Sequence, residues 1–250
     1  MSKKAKVNVK AGEDAYLAMH DINITNPKPD GRRAMIKDIR ILDRTTASAR
    51  SNATTSLNRA NTAGQQARRD FLRRGENALT PLTRGYRSPD RRQAVRTATE
   101  RIGETQRELQ KLLDESVNQL SGISTDSVRD YRNEISRIHD QLSRVLGTGL
   151  PPLPRLPSPI RWVKLGSIRI ENYVDEVTAD EHNSRYPAGT VLYRANFSRA
   201  QRDLMKDLES AMDELMRRFI AKLERTDGRI ETRTDSLRDF LDTVQKRLRS

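Results

Sequence analysis

Between Arg44 and Arg96 the chain carries 12 arginines against three carboxylates, Asp70, Glu76 and Asp90, and no lysine, a local balance of +9. A guanidinium offers a planar fork of donors to a carboxylate or phosphate and sheds water more readily than an ammonium, so this segment is suited to meeting anions. Arg68, Arg69, Arg73, Arg74, Arg84, Arg87, Arg91 and Arg92 gather around a break punctuated by Pro81, Gly85 and Pro89, and are the candidate contacts to an acidic partner or to phosphate. Apart from the seam residue Phe71, Tyr86 is the one aromatic in the cluster, which gives bases little to stack on, and no base-reading motif is present. Nucleic-acid contact, if made, is of the backbone kind and weakens steeply with salt. The competing use of the same arginines is pairing with acidic surfaces of neighbouring subunits, or simple solvation.

Other chemistry is thinly represented. His20, His139 and His182 fall in different expected elements, and His139 sits at the edge of an apolar seam, where an ordinary structural role is expected. Asp175-Glu176 and Asp180-Glu181 could approach a cation but read as solvated loop charge. There is no GxxxxGK-type phosphate loop, no GxGxxG turn and no HExxH helix. Without cysteine there are no disulfides or thiolate metal sites. The expectation is a non-enzymatic chain with no cofactor, no metal and no small-molecule substrate.

The elements that position these residues follow from periodicity. In 250 residues Leu, Ile, Val and Phe number 53, about 21% of the chain, little above the level at which highly charged chains fail to fold. That argues for elongated helices with narrow seams rather than a thick core. The charge is uneven: residues 1–100 carry 21 Lys and Arg against 10 Asp and Glu, whereas residues 101–250 carry 26 against 24. Residues 1–31 read as an extended basic arm, with Lys3, Lys4, Lys6 and Lys10 at its start.

Residues 32–149 form an Arg-rich helical, coiled-coil region. From Arg32 to about Arg74 a seam of Met35, Ile39, Leu42, Thr46, Ala49 and Ala53 continues through Leu57, Ala60, Gly64, Ala67 and Phe71. Its small residues permit close backbone approach but supply little transfer energy, so the helix is expected to depend on a partner. Ser88-Pro89 reads as N-cap and first helical residue of the next segment. There Val95, Ala98, Ile102, Thr105, Leu109, Leu112, Ser116 and Leu120 alternate threes and fours. Val128, Tyr131, Ile135, Ile138, Leu142 and Val145 then form the cleanest heptad and are candidate helix–helix contacts. Residues 89–147 are expected as a helical hairpin, or as one helix kinked near Gly122; the short connection favours the hairpin.

Five of the ten prolines lie at 151, 152, 154, 157 and 159. Pro151, Pro154 and Pro157 share a face of a polyproline II helix, but the flanking basic residues of an SH3-type ligand are missing, so residues 150–160 read as a stiff spacer of roughly 30 Å. Residues 161–197, rich in Val, Ile, Tyr and Trp, read as a small β element of two to four strands that must pack on helices or join another chain's sheet. Residues 198–250 form a C-terminal amphipathic helix capped by Ser198. Leu237, Leu241, Val244 and Leu248 are its candidate helix–helix contacts, and Gly228 is a candidate bend.

The fold class is therefore mainly α, an elongated helical hairpin or coiled-coil bundle with a small β element and an extended N-terminal arm. The expected function is a structural subunit of a large multi-subunit assembly, homo- or hetero-oligomeric, with a virion component such as a phage internal, neck or tail protein as a fitting example. The alternative is a sequence-independent nucleic-acid-binding or condensing protein. No segment approaches a membrane span and MSKKAKVNVK lacks a signal-peptide core, so intracellular, cytoplasmic synthesis is expected, with incorporation into a virion as one destination.

Overall fold

The computed structural model describes residues 29–83, 85–146, 153, 155, 157–179 and 185–249, with the side chains of residues 29, 30, 145 and 146 outside the description. Four long helices dominate: α1 (Pro29–Leu79), α2 (Arg91–Asp126), α3 (Arg129–Leu146) and α4 (Phe197–Arg249). A small antiparallel sheet accompanies them, built from β1 (Tyr86–Ser88), β2 (Val174–Thr178) and β3 (Val191–Ala195) in the order β1-β3-β2. The protein is thus mainly α with a small β element. The chain divides into two compact units, one drawn from Met1–Ala53, Asp130–Arg155 and Arg229–Ser250, the other from Thr54–Arg129 and Leu156–Gly228.

In the first unit, α1 contributes Ile39, Leu42, Thr46, Ala49 and Ala53 to the core. Tyr131, Ile135, Ile138 and Leu142 of α3 are buried in the same unit, as are Ile230, Thr234, Leu237, Phe240, Leu241, Val244 and Leu248 of α4. Thr46, fully buried, donates its hydroxyl to the Leu42 carbonyl at 2.8 Å, so a polar seam position needs no partner beyond its own helix. Ion pairs fix the register: Asp43 meets Arg238 at 2.9 Å and, one heptad along α1 and one back along α4, Arg50 meets Glu231 at 3.5 Å. The two helices therefore run antiparallel.

In the second unit, Leu57, Ala60, Gly64, Ala67 and Phe71 of α1 face Leu204, Leu208, Leu215 and Phe219 of α4, with Ile102, Leu109, Leu113 and Leu120 of α2 completing the core. A Cβ built at Gly64 would clash with the Phe219 ring, and one at Gly75 with the Leu208 side chain. The small seam of α1 thus receives large side chains of α4. The partner that this seam was expected to need is supplied by the chain itself. The sheet is likewise covered at home, β1, β2 and β3 all packing on α2, with Leu192 and Ala195 buried.

Several expectations are corrected. The sheet draws two strands from 161–197 and its third, β1, from the arginine-rich break, where Tyr86 pairs with Ala195 and Ser88 with Tyr193. Helix α1 begins at Pro29, so residues 29–31 belong to it rather than to an arm; residues 1–28 lie outside the description. Asp90, not Ser88, caps α2, its carboxylate accepting from Arg92 N at 2.8 Å, while Ser88 accepts from Asp90 N at 3.1 Å. Asn196, not Ser198, caps α4 by accepting from Arg199 N at 3.1 Å. Gly122 lies inside α2. The interruption comes at Ser127–Val128, where Ser127 keeps right-handed helical angles and bonds the Ile123 carbonyl at 3.1 Å. The chain passes from one unit to the other just beyond it, so α2 and α3 do not pair as a hairpin within a unit. Helix α4 continues unbroken through Gly228, because Ile230 and Thr234 carry its buried seam onward.

Candidate interaction surfaces

The arginine cluster separates into two sets. Arg68 donates through both Nε and Nη2 to Asp213 of α4, at 3.2 and 2.9 Å, Arg74 meets Glu115 of α2 at 2.6 Å, and Arg73 meets Asp70 one turn back at 3.3 Å. These cations are engaged within the chain, Arg68 and Arg74 holding α1 to α4 and α2. Arg69, Arg87, Arg91 and Arg92 are exposed and make no ion pair among the described residues. Arg84 lies outside the description. Adjacency to a buried position does not separate the sets: Arg68 follows Ala67 and Arg74 precedes Gly75, but the unengaged Arg87 likewise precedes the buried Ser88.

The expected helix–helix contacts are intramolecular. Val128, Tyr131, Ile135, Ile138, Leu142, Leu237, Leu241, Val244 and Leu248 are all buried within the chain, and the side chain of Val145 lies outside the description. Tyr131 places its hydroxyl 3.0 Å from Thr234 Oγ1 and 3.3 Å from the Ile230 carbonyl of α4. Burial pushes its phenol above the ordinary value, with the Thr234 bond and the charges of Arg50 and Arg233 pulling less strongly the other way.

The spacer segment lies partly outside the described residues, but its continuation does not. Residues 157–169 have no ladder partner and run extended along α2. Their backbone groups are met by side chains instead. Ile160 N donates to Ser121 Oγ at 3.0 Å. Gln110 donates to the Val163 carbonyl at 3.3 Å and accepts from Leu165 N at 3.0 Å, and Gln106 donates to the Gly166 carbonyl at 2.8 Å. From Ser121 back to Gln106 is about 22 Å of helix, which the strap covers from Ile160 to Gly166 at nearly full extension, about 3.5 Å per residue. From α4, Arg218 donates to the carbonyls of Arg161 and Trp162 at 3.3 and 3.1 Å. Glu214 holds that guanidinium at 2.8 Å, and the same bond lowers the Glu214 pKa from its ordinary value. Ile160 and Val163 are buried under the strap, whereas Trp162, the chain's one tryptophan, is 57% exposed.

The acidic pairs divide similarly. Asp175 accepts from Asn196 Nδ2 at 2.7 Å and from Arg194 at 3.3 Å, tying β2 to β3 and to the cap of α4. Asp180, Glu181, His182 and His20 lie outside the description, and His139 is half-buried on α3. Among the described residues no three His, Asp or Glu side chains converge as a metal site would require, and no helix is long and apolar enough to cross a membrane. Compared with known proteins, the chain matches no protein family, and neither a curated protein nor a solved structure shows significant similarity to it.

Proposed function

We propose that the chain is a non-enzymatic structural subunit of a multi-subunit assembly, for which an internal, neck or tail component of a phage particle is a fitting example. The observation that carries this reading is Trp162. It stands exposed on a strap whose backbone is fixed from α2 and α4. Tryptophan held rigidly in water gives a large apolar contact at little entropic cost to a protein partner, and such residues dominate protein interfaces. The helical seams are already filled inside the chain, so contacts to other subunits fall to this side chain and to the charged surface. Sedimentation of the purified chain over a concentration series, read together with Trp162 emission, tests the reading. A discrete oligomer with blue-shifted emission supports it. A monomer with unchanged emission at high micromolar concentration counts against it.

A second reading is sequence-independent binding to nucleic-acid backbone, favoured by Arg69, Arg87, Arg91 and Arg92, which are exposed and lack ion-pair partners among the described residues. Binding to random DNA that persists near 0.2 M salt, roughly, would favour it, and absence of binding even at about 50 mM would exclude it.

A further inference from the structure

In the unit formed by the first part of α1, α3 and the last part of α4, an open cleft of about 430 Å³ has walls of opposite sign. On the α1 side stand Arg40 and Arg44, continued along the helix by Lys37 and Arg33. On the α4 side stand Asp235, Asp239 and Asp242. Asp43 and Arg238 neutralise each other across the cleft, and Asp242 is met by Lys246 of its own helix at 2.9 Å. Lys37, Arg40, Arg44, Asp235 and Asp239 are exposed and make no ion pair among the described residues. Beside the basic stripe, Ile41 is 50% exposed.

We propose that this face binds a second copy of the chain, α1 of each protomer lying antiparallel against α4 of the other. The inference rests on the assembly reading above and names its partner and its surface. The spacing carries it. Asp235, Asp239 and Asp242 step by four and then three along α4, and Arg44, Arg40 and Lys37 take the same steps backward along α1, as antiparallel pairing needs. Height matches as well. With Asp43 level with Arg238 in the antiparallel pair, Arg40 lies level with Leu241, between Asp239 and Asp242, and Arg44 lies level with Leu237, between Asp235 and Asp239. A two-fold axis parallel to the helices sets α1 of one copy over α4 of the other without changing these heights, and it uses both stripes twice, which closes the dimer. Ile41 is then positioned at the margin of the contact. A polyanion would find the arginines but be repelled by Asp235 and Asp239; a second copy satisfies both walls.

Charge exchange tests the proposal. Arg40→Glu/Arg44→Glu places like charges at both contacts of the dimer, and so does Asp235→Lys/Asp239→Lys. Each variant alone is expected to self-associate at least tenfold more weakly than the wild type in sedimentation. An equimolar mixture of the two restores attraction at both contacts and is expected to give a heterodimer of wild-type affinity. The milder Arg40→Gln/Arg44→Gln, with its helix content checked by circular dichroism, is expected to fall between. Wild-type oligomers that survive both reversals, or a mixture that fails to associate, would overturn this interface while leaving the assembly reading standing. A wild-type chain that stays monomeric at every concentration and salt would overturn both.

Discussion

Phe219 of α4 occupies the space that the absent side chain of Gly64 leaves on α1: a Cβ there would meet the ring edge of a phenylalanine that is itself fully buried. The two helices approach closely because one of them has nothing to put between them. Gly64→Ala therefore overpacks a site that cannot give way. Its favourable helix propensity recovers about 1 kcal/mol at most, against an overpacking cost of about 1–3 kcal/mol, so net destabilisation is expected. Gly103→Ala and Gly122→Ala, with open space around both, should instead stabilise by about 0.5–1 kcal/mol. Urea midpoints of the three variants check the contrast. Equal behaviour would mean that the α1–α4 contact is looser than described.

The strap provides the second prediction. Gln110 satisfies Val163 O and Leu165 N together, so Gln110→Ala leaves a half-buried stretch of backbone without its donor and acceptor. A loss of about 1–2 kcal/mol is expected, with far-UV dichroism of the long helices unchanged. Because Trp162 is the single tryptophan, its fluorescence anisotropy reports the strap directly and should fall in Gln110→Ala and in Arg218→Ala. Anisotropy at the wild-type level in both would show that the apolar anchors Ile160 and Val163 suffice.

What the sequence made legible was what repeats. The seam from Ile39 to Phe71 and the heptad from Val128 to Leu142 are buried as their spacing requires, because a helical stripe is visible to any window long enough to hold several turns. The β1 strand escaped notice since Tyr86–Ser88 is too short for alternation to register and is framed by the residues that signal a break. Residues 161–169 misled in the opposite way. They are extended as their composition suggests, yet their hydrogen bonds go to Gln106, Gln110 and Arg218 on distant helices, a partnership no local pattern encodes. The arginine set was found by count alone. Which arginines find an interhelical ion-pair partner depends on where Asp213 and Glu115 arrive from other helices, and this only the fold decides.

Alkaline pH supplies the third prediction. With the Tyr131 phenol raised above its ordinary value of about 10 by burial, folding favours the neutral form; the stabilisation is intact below pH 10 and is lost as pH rises through the higher folded value. Tyr131→Phe removes the ionisation along with the bonds to Thr234 and Ile230. At neutral pH the variant should be less stable by about 1–2 kcal/mol. Above pH 10 the difference between wild type and variant should narrow, because only the wild type is then losing stability at this site. Urea titrations in steps from neutral to strongly alkaline buffer read this directly, and a constant gap would mean that folding does not raise the Tyr131 pKa.

The division of the arginines gives the last prediction, in which stability and binding move separately. Arg68→Ala and Arg74→Ala break ion pairs between helices whose members are about half exposed, so each should cost no more than about 1 kcal/mol, and less in high salt. The combined Arg69, Arg87, Arg91 and Arg92→Ala variant touches no ion pair among the described residues and should stay within about 0.5 kcal/mol of the wild type. If the nucleic-acid reading holds, this second variant loses affinity for random DNA, and its log–log salt slope falls by about 0.9 for each phosphate contact removed. The first pair should leave that slope nearly unchanged, since their guanidinium groups are already committed to Asp213 and Glu115. An unchanged slope in the fourfold variant would locate any DNA affinity elsewhere on the basic half of the chain, and no measurable slope in the wild type would leave the exposed arginines to acidic protein partners.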